Sequence, residues 1–584
     1  MTKAEPYGPI DKLAERADTL AGAWAARART STTVGRERAV LRLFGVGGLD
    51  AAGRPLAWAA VDRYLGGGRG RLGGGVVLPF AMALVEYDLA PQRLALDVAS
   101  GAVDLGMEAE LLREVDRRAI AEEEARRLAD AALERIDANR TARRELLGVL
   151  GDPARPWIGT AIPEPEIEEA IVASRRALDA GADVIQVEVP IGRELTERLR
   201  NAGLDAPVWQ PRGNDVRSET ADHAPTGSQR ALTALRHQLD EIAAQRRNYV
   251  RLAAVPPALG GPESAVVAAF ERVDIANSDP MAEIVGGRVA PDRALADHAF
   301  AHALLARAGV VVALTAGPLV VAPDLARGVP SDAATRGGRA LALQALSVAI
   351  ARGNGVPADQ LIIGALPEWL IDEPQPAARA AAEVAIRRAL HPDLALVFEE
   401  PAPSTRGSSG AWAAIAAAVA PSGGAGVVLR RGGDDAARAI SASRLAATVT
   451  RELAGSLEPA ALGGPALDHA RATVTAALAT LERLADDGWR AVLGDAIEGA
   501  ENVRLGEDSV AERTETFDPF GRALAAVSGW IADLVGRRSA GSRRFRHDGS
   551  VNAAELHRCA CPERVPDLPR VSASERRGSL IVEG

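Results

Sequence analysis

The sequence predicts an α/β chain: a (β/α)8 TIM-type barrel with N-terminal and C-terminal helical accessory regions. Three observations lead there. From Trp157 onward, short apolar runs rich in β-branched residues alternate with amphipathic stretches, the signature of a parallel sheet with helical crossovers. Eight such runs occupy about 270 residues, close to the ~250 typical of an eight-stranded barrel. The flanks on both sides lack strand-like runs and carry apolar residues at helical spacing.

Taken in order, residues 1–150 read as a helical accessory region. Between Glu108 and Leu150, Leu111, Leu112, Val115, Ile120, Leu128, Leu133 and Ile136 recur at helical spacing among Arg and Glu. Gly66 to Gly75 (GGGRGRLGGG) reads as a flexible loop; the Walker spacing and its lysine, which a phosphate cradle needs, are missing. The barrel spans 151–430, with strands expected at Trp157–Ile162, Val184–Val189, Tyr249–Val255, Val273–Ala276, Val310–Leu314, Leu361–Ala365, Leu394–Phe398 and Val427–Leu429. Helices are expected between them, such as Glu166–Ala180, ending before Gly181, and Ser228–Arg246, opened by a serine suited to capping. An open doubly wound sheet ranks second, because no G-x-G-x-x-G turn follows the first strand. Residues 431–540 return to helical spacing through Asp434–Leu457, Ala466–Asp487 and Phe520–Val535, and 541–584 read as a flexible polar tail.

Composition narrows the function classes. The chain has 584 residues, a formal net charge of −10 and 47% hydrophobic residues, an ordinary globular balance without the clustered cations of a sequence-blind nucleic-acid binder. The first residues lack the apolar core of a signal peptide, and no long uncharged apolar run occurs, so a soluble, cytoplasmic protein is expected. Two cysteines, Cys559 and Cys561, are too few for a disulfide framework. Lys3 and Lys12 are the only lysines among 68 basic residues. A pyridoxal Schiff base needs a lysine amine, so any such amine at the barrel must come from another chain.

Several segments, in order and spacing, carry a resemblance: Thr32–Asp50 (TTVGRERAVLRLFGVGGLD), GADVIQV at Gly181–Val187, SQRALTALRHQLDEI at Ser228–Ile242, NYVRL at Asn248–Leu252, FERVDI at Phe270–Ile275 and GVVVALTAG at Gly309–Gly317. Together they resemble the large (alpha) subunit of lysine 5,6-aminomutase, an isomerase dependent on adenosylcobalamin and pyridoxal phosphate. The resemblance implies a barrel whose open mouth faces a smaller beta subunit carrying the cobalamin domain and the pyridoxal phosphate lysine. It also implies a radical 1,2-shift of the terminal amino group of D-lysine, β-lysine or a related amino acid. The cobalamin signature D-x-H-x-x-G is absent here, as expected of an alpha subunit.

The chain departs from the family pattern at the mouth. Residues that should contact the pyridoxal ring and its phosphate fall on Val189, Glu194, Ala254, Ala282, Gly287, the ALTAG strand end, Ala365 and Pro403. A catalytically degenerate paralogue acting as a binding or scaffolding partner is therefore the alternative reading. By the same resemblance, Ser228, Gln229, Arg251 and Asp279 are the cofactor-binding candidates, with Glu263 and Arg293 also keeping their type; catalytic residues are not assigned. No metal site is expected. Asp297, His298 and His302 include an i, i+4 histidine pair, but the glutamate of H-E-x-x-H is missing and the group reads as solvated helix surface. His557, Cys559 and Cys561 lack a fourth ligand.

Overall fold

β1 (Ser31–Thr33) lies in the N-terminal region, and the next eight strands close a barrel in the computed structural model. They are β2 (Trp157–Ala161), β3 (Val184–Glu188), β4 (Arg251–Val255), β5 (Ile275–Asn277), β6 (Val311–Leu314), β7 (Leu361–Gly364), β8 (Ala395–Glu399) and β9 (Ala425–Arg430). Each pairs in parallel with its neighbours in chain order, and β9 closes the ring on β2 through pairs such as Gly159 with Leu429. Every expected strand run overlaps one of these strands. The structure describes residues 6–50, 54–66, 69–162, 167–188, 225–256, 260–286, 289–315, 332–365, 370, 373–399, 425–430, 440–441, 444, 463–489, 510–521 and 524. The tail expected at 541–584 lies outside them.

Strand alternation sends every second side chain inward. Trp157, Val184, Ala253, Ile275, Ala313, Ile362 and Val397 form one interior cluster, so the ring is a filled core rather than a pore. Alanines interleave with bulkier residues, which lets the layer interdigitate without aromatic side chains beyond Trp157. At the N-terminal pole Arg251, the first residue of β4, stacks over the Trp157 ring at 3.5 Å and donates to Asp152 at 2.6 Å. That stack seals the floor.

Outside the ring, helices Pro225–Arg246, Gly261–Phe270, Pro291–Ala308, Ala333–Gly353 and Pro376–Leu390 supply the outer wall. Buried carboxylates pin wall to floor. Asp274, just before β5, accepts from the Tyr249 hydroxyl at 2.9 Å and the Leu252 N–H at 2.9 Å, and pairs with Arg143 at 3.0 Å and Arg236 at 3.1 Å. A further layer of helices Ile10–Arg29 and Gly464–Asp487 packs on Ala333–Gly353 through an apolar cluster that includes Leu13, Leu341, Leu346 and Leu481. Within it Glu383 pairs with Arg387 and with His469 at 3.0 Å, all three buried. Burial alone would raise the Glu383 carboxyl, but Arg387 and His469 outweigh it and hold it below the usual range.

The flanking regions, expected to be helical, differ from expectation in the short pairing of β1 with a strand at Val510–Glu512 and in the glycine-rich run. Arg69–Gly74, inside the glycine-rich run read as a loop, is a short helix. Gly73 is there for close approach: a Cβ on it would stand 2.7 Å from the Glu512 carbonyl oxygen. Glu512 belongs to β10 (Val510–Glu512), which pairs antiparallel with β1.

Candidate functional site at the barrel rim

Reacting groups in this architecture sit at the C-terminal ends of the strands. By alternation Ala161, Gln186, Val255 and Asn277 stand on the inward side above the interior layer, and Thr315 follows β6. At the ends of β2, β4, β5, β6 and β7, namely Ala161, Ile162, Val255, Pro256, Asn277, Ser278, Asp279, Leu314, Thr315 and Ala365, there is no cationic or aromatic side chain, while β9 ends on Arg430. On those five strand ends a phosphate finds no charge-assisted donor and a pyridine ring no stacking face. That part of the rim does not fit pyridoxal phosphate. Val189, Glu194, Gly287 and Pro403 lie outside the described residues, while Ala254 and Ala365 belong to the outer apolar core rather than the interior cluster.

Behind β5 the rim is braced by a buried polar network. Asp279 accepts the N–H groups of Met281 at 2.9 Å and Ala282 at 3.3 Å, opening the π-helical turn Ala282–Gly286. Ser347, on the helix Ala333–Gly353, donates to the same carboxylate oxygen at 2.6 Å. Gln344, one turn away on that helix, donates to the Gly364 carbonyl at the end of β7 at 2.7 Å. One helix therefore ties two strand ends across β6. The other oxygen of Asp279 is buried without a hydrogen-bond partner, and burial raises this carboxyl's pKa in spite of Ser347 and the backbone donors.

The second brace is the helix Pro291–Ala308. Asp297, His298 and His302, expected at a solvated surface, are 1%, 2% and 0% exposed, which corrects that reading. Thr33 and Arg293 both donate to Asp297, and Thr33 in turn caps the helix Val34–Leu43 by accepting the Arg36 N–H at 3.0 Å. The approach is close enough that a Cβ on Gly35 would stand 2.6 Å from Arg293 Nη2. His302 Nε2 donates to the Ser278 carbonyl at 2.8 Å and its Nδ1 accepts from Asn354 at 3.2 Å, which fixes a neutral tautomer. Burial, followed by the neighbouring His298, pushes its pKa down to about 3. His298 Nδ1 meets the Ser278 hydroxyl at 2.9 Å, and its Nε2 lies 3.5 Å from Glu283. Burial pulls His298 down, but Glu283, Asp279 and Asp297 outweigh it and its pKa stands above the ordinary value. Among the described residues no group of three or more His, Cys, Asp and Glu is arranged to hold a metal.

The four candidates from the sequence do not converge. Asp279 is at the rim, as a cap. Arg251 is at the opposite pole. Gln229 donates to Glu271 at 2.7 Å, beside Thr233 on the same carboxylate, in a contact between outer helices. Ser228 lies in the first turn of Pro225–Arg246, its side chain outside the description. Glu263 accepts the Trp58 indole N–H at 2.8 Å and lies 4.0 Å from Arg42, joining the N-terminal region to the wall; burial raises its pKa in spite of Arg42. Sequence reasoning missed His298, His302, Ser278 and Ser347 as members of one network. The helix Pro291–Ala308 is buried along most of its length, but with Asp292, Arg293, Asp297, His298, His302 and Arg307 spread around it, its sequence carries no signal of that burial.

Residues 8–409 match the family described as the D-lysine 5,6-aminomutase TIM-barrel domain of alpha subunit. The lysine 5,6-aminomutase alpha subunit of Acetoanaerobium sticklandii is 28% identical over 282 residues, covering 48% of this chain and 50% of that protein. Its counterpart from Fusobacterium nucleatum is 27% identical over 307 residues, covering 52% and 55%. The chain thus spans about half the length of the curated relatives it matches. A solved dihydropteroate synthase from Yersinia pestis aligns at 15% identity over 52% of this chain and 94% of its own, with a TM-score of 0.29, too low to bear on the argument. No helix among the described residues is long and apolar enough to cross a membrane.

Proposed function

Because the chain belongs to the family of the lysine 5,6-aminomutase alpha-subunit barrel domain, we propose that it is the larger chain of an aminomutase-like assembly, completed by a smaller beta subunit. The observation that carries this reading is a barrel sealed at its floor by Trp157 and Arg251 and bordered, at the ends of β2, β4, β5, β6 and β7, by side chains among which there is no cation and no aromatic ring. Such a rim shapes and dries a chamber but brings little reactive chemistry of its own. The reactive groups then come from the partner, which fits a chain whose lysines are Lys3 and Lys12, both before the barrel. Adenosylcobalamin, held by the partner, would supply the radical chemistry for a 1,2-amino shift on D-lysine, β-lysine or a related amino acid.

This chain's residues position and enclose. The interior layer excludes water beneath the substrate. Asp279, Ser347 and Gln344 hold the ends of β5 and β7 at fixed height. Asn277 and Thr315 offer neutral hydrogen-bonding groups at that level. A lysine of the partner would anchor pyridoxal phosphate; the ends of β2, β4, β5, β6 and β7 offer its phosphate no cation. That sparse part of the rim favours a second reading, a degenerate barrel that binds the partner without turnover.

The test is co-expression with a cobalamin-binding beta subunit of the family, followed by incubation of the purified pair with both cofactors and D-lysine, β-lysine and other diamino acids. Fragmentation mass spectrometry that locates a migrated amino group supports the first reading. A stable pair with no migrated product from any diamino acid supports the second and ends the first.

A further inference from the structure

The rim network contains a group that the proposed reaction does not use. His298 is 2% exposed, and it faces acidic groups from three directions. From its own helix comes Asp297, already neutralised by Arg293 and bonded by Thr33. From the turn after β5 comes Asp279, held by Ser347 and two backbone N–H groups. From the π-helical turn comes Glu283, 3.5 Å from His298 Nε2. The remaining titratable neighbour, His302, has its ring 5.3 Å away and is held neutral by Ser278 and Asn354. With Asp297 satisfied, a charge on His298 is what offsets Asp279 and Glu283.

The facing atoms are otherwise unoccupied: His298 Nε2 and Glu283 Oε2 are both buried with no hydrogen-bond partner. Their attraction to each other is therefore the polar link between helix Pro291–Ala308 and the turn at this point. Doubly protonated, the imidazole presents one N–H to the Ser278 hydroxyl and the other to Glu283. With one proton removed, the Nε2–H tautomer still reaches Glu283 while Nδ1 accepts from the Ser278 hydroxyl, but the charge that strengthened the link is gone, and the other tautomer turns a lone pair toward the carboxylate. The turn itself is π-helical, a geometry that tends to mark functional positions. It also begins at Ala282, the position where the family resemblance places an aromatic residue.

We infer that His298 is a proton-operated clasp on the turn Ala282–Gly286, closed while the imidazolium pairs with Glu283 and released as pH rises. Met281, Ile284 and Val285 anchor the turn in the apolar cluster beneath, so release loosens the turn locally and leaves the barrel closed. The clasp would regulate the proposed site and depends on that reading only for the importance of the turn. Its test needs no partner, cofactor or turnover, so the two can fail separately.

Hydrogen exchange with mass spectrometry on the full chain, at about pH 6 and about pH 9, reads the amides of 281–286 after correction for the intrinsic pH dependence of exchange. The expected result is a loss of protection of about tenfold at the higher pH, the size of one charge-assisted hydrogen bond. Peptides from Ala333–Gly353 should show no such loss. In Glu283→Gln the protection should no longer depend on pH, and His298→Gln gives the same comparison if the first variant does not fold. Constant protection in the unaltered protein would overturn the clasp, as would an equal loss in Glu283→Gln, which would assign it to another group.

Discussion

His391 offers a sharp prediction because it is buried and poorly served. It follows the helix Pro376–Leu390, is 6% exposed, and its Nε2 is buried without a partner. Burial first, and then the nearby Arg352, push its pKa down to about 3 against the opposing Asp393, with Arg387 adding a smaller push downward. Since the unfolded chain takes up this proton near pH 6.5 while the folded chain refuses it, the stability it permits is complete above that value. It is lost progressively as pH falls toward about 3. At about pH 5 the gap from the unfolded value is about 1.5 units, which corresponds to about 2 kcal/mol against folding. His391→Leu removes the titration. Urea unfolding of both proteins, followed by circular dichroism at about pH 7.5 and about pH 5, gives a double difference in which the remaining titratable groups cancel. The leucine variant should gain about 2 kcal/mol relative to the parent on acidification. A stability difference that stays the same at the two pH values would refute the assignment of a neutral buried imidazole.

Two further substitutions test how the barrel is supported. Gly338→Ala places a methyl 2.5 Å from the Ala476 Cβ and 2.7 Å from the Ala477 backbone nitrogen, where helices Ala333–Gly353 and Gly464–Asp487 meet; urea unfolding should show a loss of about 1–3 kcal/mol from forced separation. Asp274→Asn leaves Arg143 and Arg236 buried beside a neutral amide, so stability should fall by about 3–5 kcal/mol, read as a lowered melting temperature. A change within experimental error in either case would show that the contact is not formed as described.

The barrel was legible because its strands are short β-branched runs bounded by turns, and neither neighbours nor partners alter that periodicity. Tyr249 and Val250 show the limit: they continue the apolar run of β4, yet they precede it, with the Tyr249 hydroxyl committed to Asp274. The helix Arg69–Gly74 was illegible because glycine's weak helix propensity argues against it, and contacts distant in sequence, such as Gly73 against Glu512, override that preference. Arg251 could be recognised as a buried pairing residue, but not its pole, which depends on its being the first residue of a strand rather than the last. The rim network was hidden for a related reason. Ser278, His298, Ser347 and Thr33 come from four separate segments, and only the closed ring brings them together.

The central claim is that this barrel's rim is completed by a second polypeptide. Size-exclusion chromatography with light scattering, on the chain co-expressed with a cobalamin-binding beta subunit of the family, tests it most directly. The account predicts one co-eluting species whose mass exceeds that of this chain and which carries the visible absorption of bound cobalamin. Elution of this chain at its own 60.8 kDa or a multiple of it, with the cobalamin protein in a separate peak, would contradict it.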